Sequence, residues 1–248
     1  MEPPKAFALN VTHDKVAALL AQLLPTGRVL DCGAGCGALS WRLTQQYSQF
    51  DALACDIHEG EFDVDGVRFS PADLNQCLPY PDSYFDAVCA VEVVEHLENR
   101  FAFFREINRV LRPGGVFIMT TPNIANLSSR MKFLFSGFYM LFSPLNDGEA
   151  NPICDHVNPL PLHYYRYALS KTGFQNGCVI TDRIKTGSAA LMWLYPLVYV
   201  FSAASLLRHR DPGSREVCRK TFSEYVRPDI LCGRTIIVSA LKKTPEQV

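Results

Sequence analysis

A short turn built around three glycines, Gly33, Gly35 and Gly37, constrains this chain more than any other feature. It follows an apolar pair, Val29–Leu30, and a single acid, Asp31, and it leads into residues with helical apolar spacing. A strand that turns sharply into a helix needs glycine wherever φ is positive or a ligand touches the backbone. The first N–H groups of that helix have no intrahelical partner and are free to bind the ligand. The pattern therefore predicts a strand–turn–helix unit that binds a nucleotide-like molecule.

The charge beside this turn separates two kinds of ligand. Gly33, Gly35 and Ala38 fit the dinucleotide pattern G-x-G-x-x-G/A, and Asp56 follows at roughly the expected spacing of 20 residues. Asp31, however, would repel an anionic pyrophosphate and attract a cation. S-adenosylmethionine carries a sulfonium and an ammonium group but no phosphate, so Asp31 favours it. A tight turn without a ligand is a third interpretation of the same residues.

The composition is that of an ordinary soluble protein. The 248 residues are 48% apolar and 20% charged, with a formal net charge of −1, so no global field favours nucleic acid. The nine cysteines include no C-x-x-C pair, which indicates reduced thiols rather than a disulfide framework or a zinc knuckle. The N-terminal residues show no long apolar core, so we expect no signal peptide and a cytoplasmic location.

Helical and strand patterns alternate through the first half of the chain. Helical spacing covers 12–24 and 101–111, and the apolar runs 52–55, 85–90 and 116–120 predict strands. This alternation predicts a parallel sheet with right-handed crossovers and a ligand at the carboxyl ends of its strands.

Two acids follow predicted strands on the expected ligand side. Asp56, with Ile57 after it, ends the second strand and is placed to accept the ribose hydroxyls of a nucleoside. Asp73 follows a brief third strand and would accept the exocyclic amine of adenine, while Leu74 packs near the ring. Each acid by itself also fits a turn or helix-cap role.

The order of several motifs carries a family resemblance. In chain order the motifs are Asp31-x-Gly33-x-Gly35-x-Gly37, Asp56, Ala72-Asp73-Leu74, Phe85-Asp86, Glu92-Val-Val-Glu95-His96-Leu97 and Leu111-Arg-Pro-Gly-Gly115. From Val29 to about Asn123 the chain thereby resembles the class I S-adenosylmethionine-dependent methyltransferases. The resemblance implies a three-layer, Rossmann-like α/β fold with a seven-stranded, mostly parallel sheet and helical cap insertions. Its last strand, here 234–241, would be antiparallel, and one domain would cover 1–248.

The resemblance also assigns cofactor-binding residues. The predicted set is Asp31, Gly33, Gly35, Gly37, Asp56, Ile57, Asp73, Leu74 and Glu92. Asp31 and the first two glycines would line the methionine end of S-adenosylmethionine. Asp56 would hold the ribose, Asp73 the adenine, and Glu92 would lie beside the cofactor.

A carboxylate–histidine cluster follows the fourth predicted strand. Glu92, Glu95 and His96 are spaced i, i+3 and i+4, so on a helical turn they would share one face. Two carboxylates and an imidazole at a cleft suit a divalent ion, which would lower the pKa of a substrate hydroxyl. A similar Glu-x-x-Glu-His occurs in the metal-assisted O-methyltransferases of ubiquinone synthesis and in small-RNA 2′-O-methyltransferases. The RNA type would need a further histidine, His156 or His163.

Many members of the class carry this motif without a metal. His96 is then the candidate general base, since its unperturbed pKa lies near neutral pH. A buried histidine bonded to a backbone carbonyl is a third interpretation. We predict His96 and His156 as the catalytic residues and assign no residue as a metal ligand, with a divalent metal kept as an open alternative.

Two insertions, the cap segments 124–170 and 186–230, follow the fifth predicted strand, 116–120, and the sixth, 178–181. The first is crowded with aromatic residues between 131 and 142, and the second contains the apolar run 189–207, long enough by itself to span a membrane. Because the flanking strands belong to one sheet, a single crossing is excluded. The run would then double back, lie in the membrane interface or pack over the cleft. The basic run that begins at Arg208 favours an interfacial anchor for anionic lipid, and a buried helix pair with a solvated basic face is the alternative.

Both insertions lie where a substrate would enter, so we predict O-methylation of an apolar small-molecule or lipid-like acceptor, with peripheral membrane contact. An RNA 2′-O-methyltransferase with a metal site is the alternative. It is disfavoured because the basic run is short and lacks interleaved aromatic residues. A non-catalytic cofactor-binding scaffold is the third hypothesis. The sequence predicts no particular oligomeric state.

Overall fold

One seven-stranded sheet organises the described part of the chain, which comprises residues 4, 9–145, 155–207, 211–244 and 246 of the computed structural model. The strands are β1 (Gly27–Cys32), β2 (Phe50–Asp56), β3 (Arg68–Pro71), β4 (Phe85–Ala90), β5 (Leu111–Pro122), β6 (Phe174–Thr181) and β7 (Thr235–Lys242). Their spatial order is β3-β2-β1-β4-β5-β7-β6. β7 runs antiparallel to β5 and β6, and the other neighbouring strands are parallel. The predicted mostly parallel sheet with an antiparallel last strand is confirmed.

Helices cover both faces of the sheet and give the predicted three-layer arrangement. The helices of the described residues are α1 (Asn10–Leu23), α2 (Ala38–Gln45), α3 (Arg100–Val110), α4 (Leu127–Ser136), α5 (Leu162–Lys171), α6 (Thr186–Ala189), α7 (Tyr195–Leu207), α8 (Pro212–Tyr225) and α9 (Pro228–Cys232). On one face, α1 and α2 pack over Val29, Ala52 and Ala87. On the other face, Phe104 of α3 and Tyr165 of α5 belong to the larger apolar core.

The strand order places a ligand crevice beside β1. The chain moves from β1 outward to β2 and β3 and then returns to β4 on the other side of β1. The loops that follow β1 and β4 therefore separate in opposite directions at the carboxyl ends of these strands. In an open α/β sheet such a crevice is where the ligand binds.

β5 is longer than the sequence pattern predicts. The apolar run predicted a strand over 116–120, but β5 begins at Leu111, which pairs with Phe85 of β4. The register between the two strands shifts just after this pair, and Gly114 takes a φ of 77°. Because glycine tolerates a positive φ, the irregularity is absorbed within the strand instead of ending it.

The segment between β4 and α3 is not the helical turn on which the spacing argument depended. Residues 91–97 form bends and turns, with the His96 N–H donating to the Val93 carbonyl oxygen at 3.0 Å. Glu92 has a φ of 55°, a strained value for a residue with a side chain. A strained loop, rather than helical spacing, therefore positions the carboxylate–histidine cluster.

The described parts of the two cap segments are mainly helical. Within the described ranges, Thr186–Ser205 is the one helical stretch long and apolar enough to cross a membrane by length and composition, and only 6% of its most apolar window is buried. The stretch is not one continuous helix, since α6 ends at Ala189 and a 3-10 helix, Met192–Leu194, precedes α7. The start of the predicted basic run, 208–210, lies outside the described residues.

One buried amide ties the end of β5 to the segment before β7. Asn123 is 4% exposed, and its Nδ2 donates to the carbonyl oxygens of Ile230 and Gly233 at 2.7 and 3.0 Å. Its Oδ1 accepts from the Ala125 N–H at 3.0 Å. Three backbone groups that the fold removes from water thus depend on a single side chain.

We expect Asn123→Ala to lower the free energy of unfolding by about 2–4 kcal/mol, because buried backbone groups lose their partner. Urea denaturation followed by circular dichroism measures the change. Gln45→Ala, at an exposed position of α2, is the control and should change stability by less than about 0.5 kcal/mol. Similar losses in the two variants would contradict the structural role of Asn123.

Candidate active site at the carboxyl edge of the sheet

A cavity of about 370 Å³ opens at the carboxyl ends of β1, β2 and β4. Its volume lies within the range of small-molecule sites. The predicted residues on its wall are Gly33, Gly35, Asp56, Ile57, Asp73, Leu74, Glu92, His96 and His156. The structure therefore brings both predicted catalytic histidines and most of the predicted cofactor residues to one site.

Backbone hydrogen bonds hold the glycine turn against the second strand. The N–H groups of Gly33 and Ala34 both donate to the Cys55 carbonyl oxygen, at 2.8 and 3.1 Å. Gly33 has a φ of 77°, and a Cβ at this position would lie 2.4 Å from a methyl of Val93. Glycine is required here because the φ is positive and the loop after β4 passes directly over the turn.

Asp31 and Gly37 belong to the predicted cofactor set but do not line the cavity. Asp31 is 2% exposed, and its carboxylate accepts from the N–H and the hydroxyl of Ser40 at 3.0 and 2.7 Å. Burial raises the pKa of Asp31 to about 6. Gly37 precedes α2 with a φ of 85°, and a Cβ there would lie 2.4 Å from Val64. Both residues fix the start of α2, and Asp31 adds negative charge behind the cavity wall.

Two further acids on the wall are already anchored by backbone N–H groups. Asp56 accepts from the Gly35 N–H at 2.8 Å and from the His58 N–H at 3.1 Å. Asp73 accepts from the Asn75 N–H at 2.9 Å. Because a carboxylate accepts about four hydrogen bonds in total, both acids retain capacity for the ribose hydroxyls and the adenine amine that we predict.

Glu92 extends the acidic character of the wall. Its backbone N–H donates to the Thr120 hydroxyl at 2.9 Å, and that hydroxyl donates to Glu92 Oε1 at 3.2 Å. Burial raises the pKa of Glu92 to about 7, although the charge of Arg234 acts in the opposite direction. A cation bound in the cavity would favour the ionised carboxylate. The wall therefore contains a titrating group that responds to a positively charged ligand.

His96 and His156 lie edge to face, with ring centroids 4.7 Å apart. The Nδ1 of His96 is 3.1 Å from the Asp155 carbonyl oxygen, and the Nδ1 of His156 is 2.7 Å from that of Leu141. Since a carbonyl oxygen only accepts, each Nδ1 carries the proton and each Nε2 keeps a lone pair. Burial lowers the pKa of both rings, which favours their neutral forms near pH 7. Two imidazole bases are thus fixed at the cavity wall.

Glu95 completes a cluster that fits a divalent metal ion. Ligand atoms of Glu95, His96 and His156 lie within 4.8 Å of one another. The third member of this cluster is therefore His156, whereas the sequence spacing predicted Glu92. Glu95 is 0% exposed, and neither carboxylate oxygen has a hydrogen-bond partner in the described chain. Burial raises the pKa of Glu95 well above its usual value. An unpaired buried carboxylate is costly unless it gains a proton or a cation, and a metal here would act as a Lewis acid.

Sequence reasoning missed several residues of the wall, among them His13, Leu141 and Arg234. His13 lies on α1, and burial lowers its pKa to about 4. Arg234 immediately precedes β7, and Leu141 follows α4. None of the three belongs to a recognisable motif, because each reaches the cavity through contacts between distant parts of the chain. The one local signal was the position of a lone arginine directly before an apolar strand.

Residues 30–119 match the family described as "Methyltransferase domain". The matched segment contains the glycine turn, the predicted ribose and adenine acids Asp56 and Asp73, and the motif from Glu92 to His96. This chain carries a class I S-adenosylmethionine-dependent methyltransferase domain. The family implies S-adenosylmethionine as the cofactor, and the acidic wall of the cavity fits its cationic groups.

Two relatives of this chain are named for different methylated atoms, one as an N-methyltransferase and the other as an O-methyltransferase. The chain is 30% identical over 186 residues to a sarcosine/dimethylglycine N-methyltransferase of Halorhodospira halochloris, with 70% of this chain and 61% of that protein covered. It is 34% identical over 119 residues to the mitochondrial ubiquinone biosynthesis O-methyltransferase of Rattus norvegicus, with 44% and 34% covered. The chain thus spans about three fifths and one third of the lengths of these relatives.

A solved structure supports the assignment of the fold. The crystal structure of a methyltransferase dependent on S-adenosylmethionine from Archaeoglobus fulgidus is similar with a TM-score of 0.57 and 18% identity. The similarity covers 93% of this chain and 94% of that one. At this identity it concerns the fold alone, and it confirms the Rossmann-like methyltransferase fold. The bounds 1–248 of a single domain stay a prediction.

We expect S-adenosylmethionine to bind up to about tenfold more tightly as the pH rises from about 6 to about 8. The pKa of Glu92 is about 7 without the ligand, and the cationic ligand favours the ionised form, so binding releases a proton. Titration calorimetry in buffers with different ionisation enthalpies measures this release. In Glu92→Gln the pH dependence should flatten. A dependence of unchanged size in this variant would show that another group is responsible.

We expect Asp56→Asn to weaken S-adenosylmethionine binding by about 10- to 100-fold, because charge-assisted hydrogen bonds to the ribose and to the turn are lost. Asp51→Asn is the matched control, since Asp51 lies on the same strand and pairs with Arg28 at the surface. Its affinity should stay within about twofold of the original protein. Calorimetric titration compares the variants, and equal affinities would remove Asp56 from the cofactor site.

Proposed function

We propose that this protein transfers the methyl group of S-adenosylmethionine to a hydroxyl oxygen of an apolar small-molecule or lipid-like acceptor. The observation that carries the proposal is the pair of neutral imidazoles, His96 and His156, in the same cavity as Asp56 and Asp73. The acids suit the nucleoside of the cofactor, and the imidazoles suit an acceptor that must lose a proton. The similarity to an O-methyltransferase of ubiquinone biosynthesis supports oxygen as the methylated atom.

The side chains near the cavity support an apolar acceptor. Leu141 lies on the cavity wall and is 39% exposed. It follows α4 by five residues, and the end of α4 presents Leu134 and Phe135 with 69% and 80% of their surface exposed. An acceptor that approaches from this side would cover apolar surface that water otherwise contacts.

The chemistry is an in-line displacement at the sulfonium methyl. The acceptor oxygen forms a bond to the methyl carbon as the carbon–sulfur bond breaks, and the hydroxyl proton passes to His96 Nε2. The products are a methyl ether, S-adenosylhomocysteine and a protonated imidazole. The protein aligns oxygen, methyl and sulfur, excludes water and receives the proton. The hydrogen bond from His96 Nδ1 to the Asp155 carbonyl orients the ring for this task.

A second candidate function uses the same cavity. The convergence of Glu95, His96 and His156 also favours an RNA 2′-O-methyltransferase that holds a divalent ion with these residues. The formal net charge of −1 argues against it, because binding to the phosphate backbone depends on Lys and Arg. A non-catalytic scaffold would bind the cofactor on the acidic wall, but it would not need His96 and His156 as bases.

The function is tested with labelled S-adenosylmethionine and a cell extract separated into lipid, RNA and water-soluble fractions. We expect label in the lipid fraction or in an apolar small molecule extracted with it. Label in RNA would support the second candidate, and label in soluble amines would replace oxygen by nitrogen. No label together with tight cofactor binding would indicate a scaffold. A chelator added to the active reaction should stop turnover if the cluster holds a metal, and unchanged turnover would remove these residues as ligands.

We expect His96→Ala to lower kcat by about 10²- to 10⁴-fold while S-adenosylmethionine affinity stays within about twofold, because the proton acceptor is lost. In the original protein the rate should rise with pH and reach half its maximum below pH 6.5, since burial lowers the pKa of His96 and a protonated ring accepts no proton. His163→Asn is the control, because His163 is exposed and bonds to Tyr225. Equal kcat values for the two variants would contradict the assigned role.

A further inference from the structure

α7 is apolar around its whole circumference. Its sequence, YPLVYVFSAASLL, contains no charged residue. None of its residues 195–205 is buried, and Leu197, Val200 and Phe201 are 54%, 62% and 73% exposed. At about 100° per residue, the exposed side chains spread over roughly two thirds of the helix surface. A protein partner with one groove covers one stripe of a helix, so a continuous apolar medium matches this surface better.

Aromatic residues on and before α7 have the chemistry of a membrane–water interface. Trp193, in the 3-10 helix that leads into α7, is 72% exposed, and Tyr199 is 45% exposed. Tryptophan and tyrosine combine an apolar ring with one polar group and are enriched at the headgroup level of bilayers. An exposed tryptophan on an otherwise apolar segment therefore indicates where such a segment would meet lipid.

α8 supplies positive charge beside this apolar surface. α8 packs against α7, with the rings of Tyr199 and Phe222 5.2 Å apart. Arg219 and Lys220 of α8 are exposed. Basic side chains next to an apolar helix are attracted to the headgroups of anionic lipids, and neutral protein surfaces offer no equivalent partner.

The length of α7 and its place in the fold define how it would meet a bilayer. α7 has 13 residues, or about 20 Å, which is shorter than the hydrocarbon core of about 30 Å. β6 precedes it and β7 follows it, and both strands lie in one sheet. A single crossing by α7 is therefore excluded, and a helix of this length fits a position along the bilayer surface.

We propose that α7 docks in the interface of an anionic phospholipid bilayer, with Trp193 at the headgroup level and Arg219 and Lys220 on the lipid phosphates. α6 leads into this segment and packs against α4, where the Ser128 N–H donates to Ser188 Oγ at 3.2 Å. The exposed apolar end of α4 thus belongs to the same helical layer. Docking is separate from methyl transfer, and its test needs no active enzyme.

Vesicle flotation tests the proposal with the full chain. The protein should float with mixed phosphatidylcholine–phosphatidylglycerol vesicles and about tenfold less with phosphatidylcholine alone. Val200→Asp combined with Phe201→Asp should weaken flotation by about tenfold or more, because charges enter the apolar layer. Leu23→Asp, on an exposed apolar position of α1, is the matched control and should float normally. Circular dichroism melting confirms that each variant is folded.

Two further measurements separate lipid from other partners. The fluorescence of Trp193 should shift to the blue with anionic vesicles, and Trp193→Phe should lose the shift, since the other tryptophan, Trp41, lies on α2. Arg219→Gln with Lys220→Gln should reduce flotation on anionic vesicles by about tenfold. Absence of flotation in the original protein would overturn the proposal. A dimer in sedimentation that Val200→Asp abolishes would also overturn it, because a second copy of the chain would then be the partner. Resistance to alkaline extraction would overturn it as well, because it would indicate a membrane-spanning segment.

Discussion

Contact of the glycine turn with β2 and with the loop after β4 is the constraint on which the site depends. Gly33 and Ala34 bind the carbonyl oxygen of Cys55, and the side chain of Val93 lies where any Cβ on Gly33 would be. Asp31, behind the turn, fixes the start of α2 through Ser40. The carboxyl ends of β1, β2 and β4 are thereby held at one edge of the sheet, and the cavity is the space left between their loops.

Acidic groups held away from water give this cavity its chemistry. Glu92 and Glu95 have raised pKa values because of burial, and Glu95 lacks a hydrogen-bond partner in the described chain. Folding tolerates such groups at a cost that a cation or a proton can offset. A sulfonium cofactor beside Glu92, or a divalent ion beside Glu95, would favour the ionised form of that carboxylate. The neutral imidazoles beside it supply basic nitrogen without adding charge.

The two insertions into the sheet give the domain an apolar outer layer. α4 and α6 pack against each other with the Ser128 N–H bonded to Ser188, and apolar residues at the end of α4 and along α7 are exposed. Large exposed apolar surfaces are rare on soluble monomers and mark sites of interaction. In this chain the layer is linked to the cavity, because α4 runs into the loop that contributes Leu141 to its wall.

The sequence by itself determined the sheet, the family and the nine predicted residues of the cavity wall, because these depend on local patterns. The alternating strands and helices, the three glycines, and Asp56 and Asp73 after their strands all follow from residue type and spacing. Tertiary structure alone decided the rest. Asp31 bonds Ser40 behind the wall, β5 includes Gly114 and Gly115 next to a register shift against β4, and His156 lies beside Glu95 and His96 although it is 60 residues after His96. These contacts depend on which side chains the packed loops bring within a few ångströms of one another, and local sequence patterns do not determine distances between segments far apart in the chain.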